Sequence, residues 1–113
     1  MNPVFFILFS VGVIYVIAGY IQKKYPPKKI NHFYGYRTSR SQKNQEIWDF
    51  AQQYSAHKMI KMGIITLVIS ALAYVFDYRS EWEVWIAIFI SILFPIAMII
   101  EIEKKLKKQF PES

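Results

Sequence analysis

Three long apolar runs, separated by charged segments, constrain this chain more than any other feature. No charged residue occurs from Pro3 to Gln22, from Met62 to Phe76, or from Val84 to Ile100. As helices these runs are about 22–30 Å long, close to the thickness of the hydrocarbon core of a bilayer. The pattern predicts an all-α membrane protein of one domain, residues 1–113. Its transmembrane helices are expected at about residues 4–22, 59–76 and 84–102.

The ends of these runs carry residues that membrane interfaces favour. The second run is the shortest, and it reaches spanning length only if Lys61 extends its amine to the headgroups. Trp82 and Trp85 flank the third run as interfacial anchors. The first run lacks the leading positive charge and the small-residue cleavage site of a secretory signal peptide, so we expect it to remain a helix of the mature protein.

Small and hydroxyl-bearing residues within the runs are candidates for contacts between the helices, because they let two backbones approach closely. They are Ser10, Gly12, Thr66, Ser70, Ala71 and Ser91. Pro95 is expected to bend the third helix and to leave one carbonyl without its helical partner.

The distribution of basic residues predicts the orientation. Nine of the fourteen Lys and Arg residues fall between Lys23 and Lys61, four lie in the tail, and only Arg79 lies in the short segment 77–83. By the positive-inside rule, the N-terminus is outside and the C-terminus is cytoplasmic. Anionic lipid headgroups, rather than nucleic acid, are the expected partners of these charges, because the sequence has no nucleic-acid-reading motif.

The predicted cytoplasmic segment, residues 23–58, has two parts. Pro26 and Pro27 end the first helix, and a loop rich in aromatic and hydroxyl residues follows. From Ser41 a helical pattern predicts a short amphipathic helix that lies on the membrane surface before the second span. Its inward face would hold Ile47, Trp48, Ala51, Tyr54 and Ser55.

The basic tail, residues 103–113, continues the apolar stripe of the third helix. Ile99, Ile102, Leu106 and Phe110 follow helical spacing, and lysines stand beside them. We expect this tail to leave the bilayer and to rest on anionic headgroups.

The loop and the predicted short helix resemble the signature of the SdpI/YfhL family of small bacterial membrane proteins. The matching residues are Gly35, Tyr36, Arg37, Thr38, Ser41, Asn44, Trp48 and Ala51. The chain departs from that pattern at Ser39, where many members have proline. The resemblance implies a protein of the bacterial cytoplasmic membrane that protects its cell against a secreted, membrane-active peptide toxin. It also suggests that a cytoplasmic regulator is sequestered. The alternative is an accessory membrane protein that binds lipid or a protein partner through this motif.

Arg37 is the sharpest candidate for a binding residue. With Thr38, Ser39, Ser41 and free backbone amides, its guanidinium would form an anion site. Equally, it would tie the loop down through Glu46, Asp49 or a helix-end carbonyl. Gly35 is expected to supply a backbone conformation or a close approach rather than chemistry.

The aromatic residues of this segment have two interpretations. Trp48 could form a ligand platform with Tyr34, Tyr36 and Tyr54. Interfacial or packing roles are the more common use of such residues.

The short segment between the second and third spans is acidic. Asp77, Glu81 and Glu83 stand against one basic residue, Arg79. We expect this loop to face the toxin and to attract a cationic peptide.

Several classes of function are disfavoured by residues that the sequence lacks. There is no cysteine, and His32 and His57 do not have metal-ligand spacing, so neither a metal site nor a cofactor is expected. No nucleophile with a base suggests an enzyme. The spans lack the ionisable residues of a coupled transporter, which makes a small-molecule transporter less favoured. Three helices that expose much of their surface leave a homo-oligomer open.

Overall fold

The computed structural model describes residues 2–76 and 82–113, which form three helices. They are α1 (Pro3–Lys24), α2 (Gln45–Phe76) and α3 (Glu83–Gln109). Each is long and apolar enough to cross a membrane, and no strand occurs among the described residues. The predicted all-α class with three spanning helices is therefore confirmed. The molecule is elongated, with extents of 49 × 25 × 20 Å.

We refer to two parts of the molecule. The basic end comprises residues 25–58 and 101–113, where α1 ends, α2 begins and α3 ends. It contains ten of the fourteen Lys and Arg residues. The spanning part comprises residues 3–24, 59–76 and 83–100.

Helix α1 begins at a well-formed cap. The Asn2 side chain accepts a hydrogen bond from the Phe5 amide at 3.1 Å, and Pro3 occupies the first helical turn, where its missing N–H costs nothing. The Asn2 amide nitrogen also donates to the Ala73 carbonyl near the end of α2, at 2.9 Å. Asn2 therefore starts α1 and fixes that start against α2.

Helix α2 corrects one prediction, because the expected short amphipathic helix is not a separate element. It is the first part of a continuous helix of 32 residues that begins at Gln45 rather than Ser41. The Asn44 side chain accepts from the Ile47 amide at 2.9 Å and caps the start. No proline or glycine lies between residues 45 and 62 to interrupt the helix, so the backbone continues from the polar segment into the apolar one.

The apolar face of this first part does not lie on a membrane surface either. Ile47 and Ala51 form a buried core with Ile102 and Leu106 of α3. The prediction for the basic tail is corrected by the same contact: α3 continues to Gln109, and its apolar stripe packs on α2 instead of on headgroups. Phe110 extends the core by an edge-to-face contact with Phe50, with ring centroids 5.5 Å apart.

In the spanning part, α1 and α2 approach closely at glycines. A Cβ atom on Gly63 would lie 2.7 Å from Val16 Cγ2 and 2.8 Å from the Val16 backbone nitrogen. A Cβ atom on Gly19 would lie 2.7 Å from Ile60 Cγ1 and 2.9 Å from the Ile60 backbone nitrogen. Neither position has room for a side chain, so glycine sets the distance between the two helices.

The residues predicted for helix contacts divide into two groups. Gly12, Thr66 and Ser70 are buried, as expected, whereas Ser10 and Ala71 are exposed on the outer surface. Ser91 contributes its backbone carbonyl to a contact between α3 and α1. Pro95 has no N–H to donate to this oxygen, and the Tyr15 hydroxyl lies 3.5 Å from it instead. Most large side chains of the spanning part point outward, as the lipid-facing surface of a small bundle requires.

Candidate functional site at the basic end

The loop before α2 is held by one buried amide side chain, that of Gln52. Its Oε1 atom accepts from the Tyr36 backbone N–H at 2.7 Å, and its Nε2 atom donates to the Tyr36 carbonyl at 2.8 Å. Gln52 is 1% exposed, so these bonds satisfy its polar atoms away from water. The Gln52 side chain therefore makes a pair of hydrogen bonds to the Tyr36 backbone, one accepted and one donated, as a neighbouring β-strand would.

Gly35 makes this pairing possible. Its φ angle is +107°, in the region that glycine adopts readily. A Cβ atom there would lie 2.5 Å from Gln52 Oε1 and 2.7 Å from Pro27 Cγ. The expectation that Gly35 supplies a backbone conformation agrees with this geometry. The close approach of Gln52 is a second reason why a side chain does not fit at this position.

A second buried amide connects α1 to the same place. Gln22, 5% exposed, donates from Nε2 to the Gln52 carbonyl at 2.9 Å and to Ser55 Oγ at 2.7 Å. Sequence reasoning missed Gln22 and Gln52. A signal existed, since Trp48, Gln52 and Ser55 follow the i, i+4, i+7 spacing of one helix face.

The hydroxyls of Thr38 and Ser41 serve the loop itself. The Thr38 N–H donates to Ser41 Oγ at 2.8 Å, and the Ser41 N–H donates to Thr38 Oγ1 at 3.1 Å. Ser41 is fully buried, and its hydroxyl also reaches the Tyr36 carbonyl at 3.0 Å. This reciprocal arrangement occupies the backbone amides of Thr38 and Ser41, so these two groups are not free to bind an anion.

Glu103 joins the loop to α3. Its Oε2 atom accepts from the Tyr36 hydroxyl at 2.7 Å and from Thr38 Oγ1 at 3.1 Å. Its Oε1 atom lies 3.4 Å from a guanidinium nitrogen of Arg40. Sequence reasoning placed residue 103 only at the start of the basic tail. Its carboxylate instead receives three side chains of the loop, two of them from the G-Y-R-T motif.

The electrostatics of this cluster keep Tyr36 protonated. Burial raises the pKa of Tyr36 above its ordinary value, and the hydrogen bond to the negatively charged Glu103 raises this pKa further. The phenol is therefore a stable donor to the carboxylate rather than an acid.

Arg37 lies apart from this cluster. Its side chain is exposed, and its guanidinium donates to the His32 carbonyl within the loop. This hydrogen bond ties Arg37 to its own loop. The acceptor is a loop carbonyl rather than a helix-end carbonyl, Glu46 or Asp49. Binding of an anion or partner by Arg37 stays a prediction.

Trp48 is a packing residue in this structure. Its ring is fully buried, and Nε1 donates to the Pro27 carbonyl at 2.7 Å. The indole thus fastens the proline turn after α1 to the first turns of α2. Of the other motif residues, Asn44 caps α2, and Gly35, Tyr36, Thr38 and Ser41 make the contacts described above.

Of the predicted toxin-facing residues, Asp77 and Glu81 lie outside the described residues. Glu83 begins α3 at the end of the molecule opposite the basic end. It lines a cavity of about 150 Å³ between the three helices, together with Asn2, Val4, Ala73, Phe76 and Ile86. Within residues 2–76 and 82–113, no group of three His, Asp or Glu side chains is arranged to hold a metal ion.

These features define a class: a small multi-pass membrane protein of three helices, whose signature loop is bound to the helices at one end. The SdpI/YfhL protein family model matches residues 28–101, which include the loop after Pro27, all of α2 and most of α3. The chain belongs to this family, as the motif from Gly35 to Ala51 predicted.

A relative supports the same assignment over part of the chain. A Bacillus subtilis (strain 168) protein called "Uncharacterized protein YfhL" is 48% identical over 54 residues. The match covers 48% of this chain and 49% of the relative, so it spans about half of each protein. No solved structure matches the chain.

Proposed function

We propose that this protein is an immunity protein of the bacterial cytoplasmic membrane, which gives its cell resistance to a secreted, membrane-active peptide toxin. The observation that carries the proposal is family membership across residues 28–101, with the signature loop intact. In this proposal the N-terminus is outside and the basic end is cytoplasmic, where its lysines meet the anionic leaflet.

The toxin would engage the end opposite the basic end. Glu83 lies there at a largely apolar cavity, and Asp77 and Glu81 precede it by six and two residues in the sequence. A cationic amphipathic peptide has both chemistries, since its charges suit the carboxylates and its apolar residues suit the cavity and the exposed helix faces. The attraction would be screened by salt, because exposed charges act over only about 10 Å at 0.1 M ionic strength.

A second function, capture of a cytoplasmic regulator, is favoured by the exposed side chains of the loop. Phe33 is 91% exposed at the tip of a turn in which Asn31 Oδ1 accepts the Phe33 and Tyr34 amides. Arg37, which bonds to the neighbouring His32 carbonyl, is exposed as well. An exposed aromatic ring beside an arginine is a common composition for a protein-binding surface.

The accessory-protein alternative assigns binding to the motif as a whole. It is less favoured, because Gly35, Tyr36, Thr38, Ser41 and Trp48 are engaged in contacts within the chain. Within residues 35–41, the exposed side chains that would be available to a partner are those of Arg37 and Ser39.

The test is a strain that lacks the gene, challenged with toxin peptides from related bacteria. The wild-type gene should restore resistance, and the triple variant Asp77→Asn, Glu81→Gln, Glu83→Gln should restore less of it, with the deficit largest at low salt. A matched control neutralises Glu46 and Asp49 at the basic end and should resist as wild type does. Failure of the wild-type gene to protect against any peptide would reject the immunity function. Equal protection by the triple variant would reject the docking loop alone.

The orientation is tested separately with single cysteines, since the native chain has none. Cysteine at Ser80 should react with an impermeant reagent in intact cells, and cysteine at Ser39 or Ser113 should react only after lysis. Labelling of position 39 in intact cells would reverse the orientation and remove the regulator function with it.

A further inference from the structure

A groove lies between α2 and α3 where the spanning part meets the basic end. Its volume is about 240 Å³, and its lining includes Lys58, Lys61, Ile65, Phe94, Ala97 and Glu101. Ile65 is 43% exposed, so the groove opens sideways toward the surrounding lipid. None of these residues belongs to the signature loop or to the proposed toxin-facing end.

The groove is divided by polarity along its length. Ile65, Phe94 and Ala97 lie within the uncharged runs 62–76 and 84–100, and the charged residues line the end toward the basic end. Lys58 and Lys61 are three residues apart on α2, so they share one face of the helix. The charged end therefore lies at the depth of the headgroups, and the apolar end lies at the depth of the acyl chains.

The charges at the headgroup end do not cancel. Lys58 forms an ion pair with Glu101 at 3.1 Å and lies over the Tyr54 ring, 5.5 Å from its centroid. Lys61 is exposed and has no ion-pair partner within residues 2–76 and 82–113. Two lysines and one glutamate leave a formal charge of +1, which complements a headgroup of net charge −1, such as that of phosphatidylglycerol, better than a zwitterionic headgroup.

We propose that this groove binds one anionic glycerophospholipid. The phosphodiester sits on Lys61, with Lys58 held beside it by Glu101, and the first part of one acyl chain lies against Ile65, Phe94 and Ala97. From Lys58 to Ile65 the helix rises about 10 Å, so one lipid spans from the charged end to the apolar end. The lipid fills the gap between α2 and α3, and the proposal is independent of the immunity function.

The experiment is native mass spectrometry of the full chain in non-ionic detergent, titrated with palmitoyl-oleoyl phosphatidylglycerol or with the matching phosphatidylcholine. The wild type should retain one phosphatidylglycerol in preference to phosphatidylcholine. Lys61→Gln should weaken this retention about fivefold, the effect of one lysine near an anionic headgroup. Lys107→Gln is the matched control, because it removes the same charge from an exposed position of the basic end outside the groove, and it should bind as wild type does.

A second pair of variants tests the acyl-chain part without changing charge. Ala97→Phe fills the groove and should abolish retention, whereas Ala18→Phe, on an exposed face of α1, should leave it unchanged. Glycerol 3-phosphate, which carries the phosphate without acyl chains, should not displace the lipid. The proposal is overturned if Lys107→Gln weakens binding as much as Lys61→Gln does, if Ala97→Phe still retains the lipid, or if glycerol 3-phosphate competes.

Discussion

The N-terminal part of α2, residues 45–58, is held by directional contacts, whereas its C-terminal part, residues 59–76, is held by close approach to α1. In the first part, Gln52 and Trp48 make side-chain hydrogen bonds to the backbone of the preceding segment, and Ile47 and Ala51 bury apolar surface against α3. In the second part, Gly63 lets the backbone of α1 come near.

The difference reflects the solvent that each part meets. In water, burial of apolar side chains is favourable, so a small core forms and polar partners position it. In lipid, an apolar side chain gains no hydrophobic free energy by moving from the lipid into a helix interface. Association of the helices therefore depends on packing and on a few polar contacts. The two parts of α2 are therefore stabilised by different kinds of contact.

The largest effect is expected from Gly63→Leu. The new side chain would meet both the side chain and the backbone of Val16, and a helix backbone cannot give way locally. We expect separation of α1 from α2 in the spanning part and a loss of about 3 kcal/mol or more in stability. Thermal unfolding in detergent measures it.

The control is Ala71→Leu, which adds the same kind of bulk to α2 at an exposed position and should change little. A normal melting curve for Gly63→Leu would mean that the close contact of α1 and α2 does not hold the spanning part together.

Gln52→Leu should open the loop at the basic end while leaving the spanning part intact. The Tyr36 N–H would lose its partner, at a cost of about 1–3 kcal/mol, while the Tyr36 carbonyl would keep only its bond from Ser41 Oγ. Limited trypsin digestion should cut after Lys28, Lys29, Arg37 or Arg40 faster than in wild type, and Gln53→Leu, at an exposed neighbouring position, serves as the control. Loss of the α1–α2 contact in this variant would contradict the independence of the two parts.

Glu103→Gln should weaken the attachment of the loop to α3. The amide retains one acceptor for Tyr36 or Thr38 but loses the negative charge that Arg40 faces, so we expect a loss of about 1–2 kcal/mol. Hydrogen exchange at residues 36–41 should rise in this variant. Glu101→Gln removes a more exposed charge of the same helix and should leave exchange in this segment unchanged.

Arg37→Lys is expected to have the smallest effect on stability, within about 0.5 kcal/mol, because Arg37 is exposed and its one described bond goes to a loop carbonyl. The lysine variant should therefore melt as wild type does. Loss of resistance at unchanged stability would identify a binding role that needs the planar guanidinium. A stability loss as large as that of Gln52→Leu would instead make Arg37 part of the loop's framework.

Much of this fold was predictable because the determining signals are local. Uninterrupted apolar runs require spanning helices whatever their neighbours are, and the motif from Gly35 to Trp48 identified the family. The continuity of α2 was missed because the boundary near Lys58 and Lys61 is a change in polarity, and polarity does not end a helix. An end needs a proline, a glycine or a capping residue, and none lies between Lys58 and Lys61.

The contacts of the signature loop were not predictable in the same way. Gln22 and Gln52 are 30 residues apart, and Tyr36 and Glu103 are 67 residues apart. A glutamine in an apolar run or a glutamate among lysines gives no indication of its partner, because the partner is set by how the helices pack. The buried Trp48 illustrates the same point: its sequence allowed an interfacial position as readily as the packed one.

The unbroken course of α2 also has a mechanical consequence. A helix of 32 residues is about 48 Å long, and it has no joint where lipid gives way to water. If it pivots about its midpoint by about 10°, each end sweeps about 4 Å in opposite directions, because the rise of 1.5 Å per residue fixes the length of each arm. If the helix moves as a rigid body, a displacement of Phe76 near one end would be accompanied by an opposite displacement of Trp48 and Gln52 near the other end.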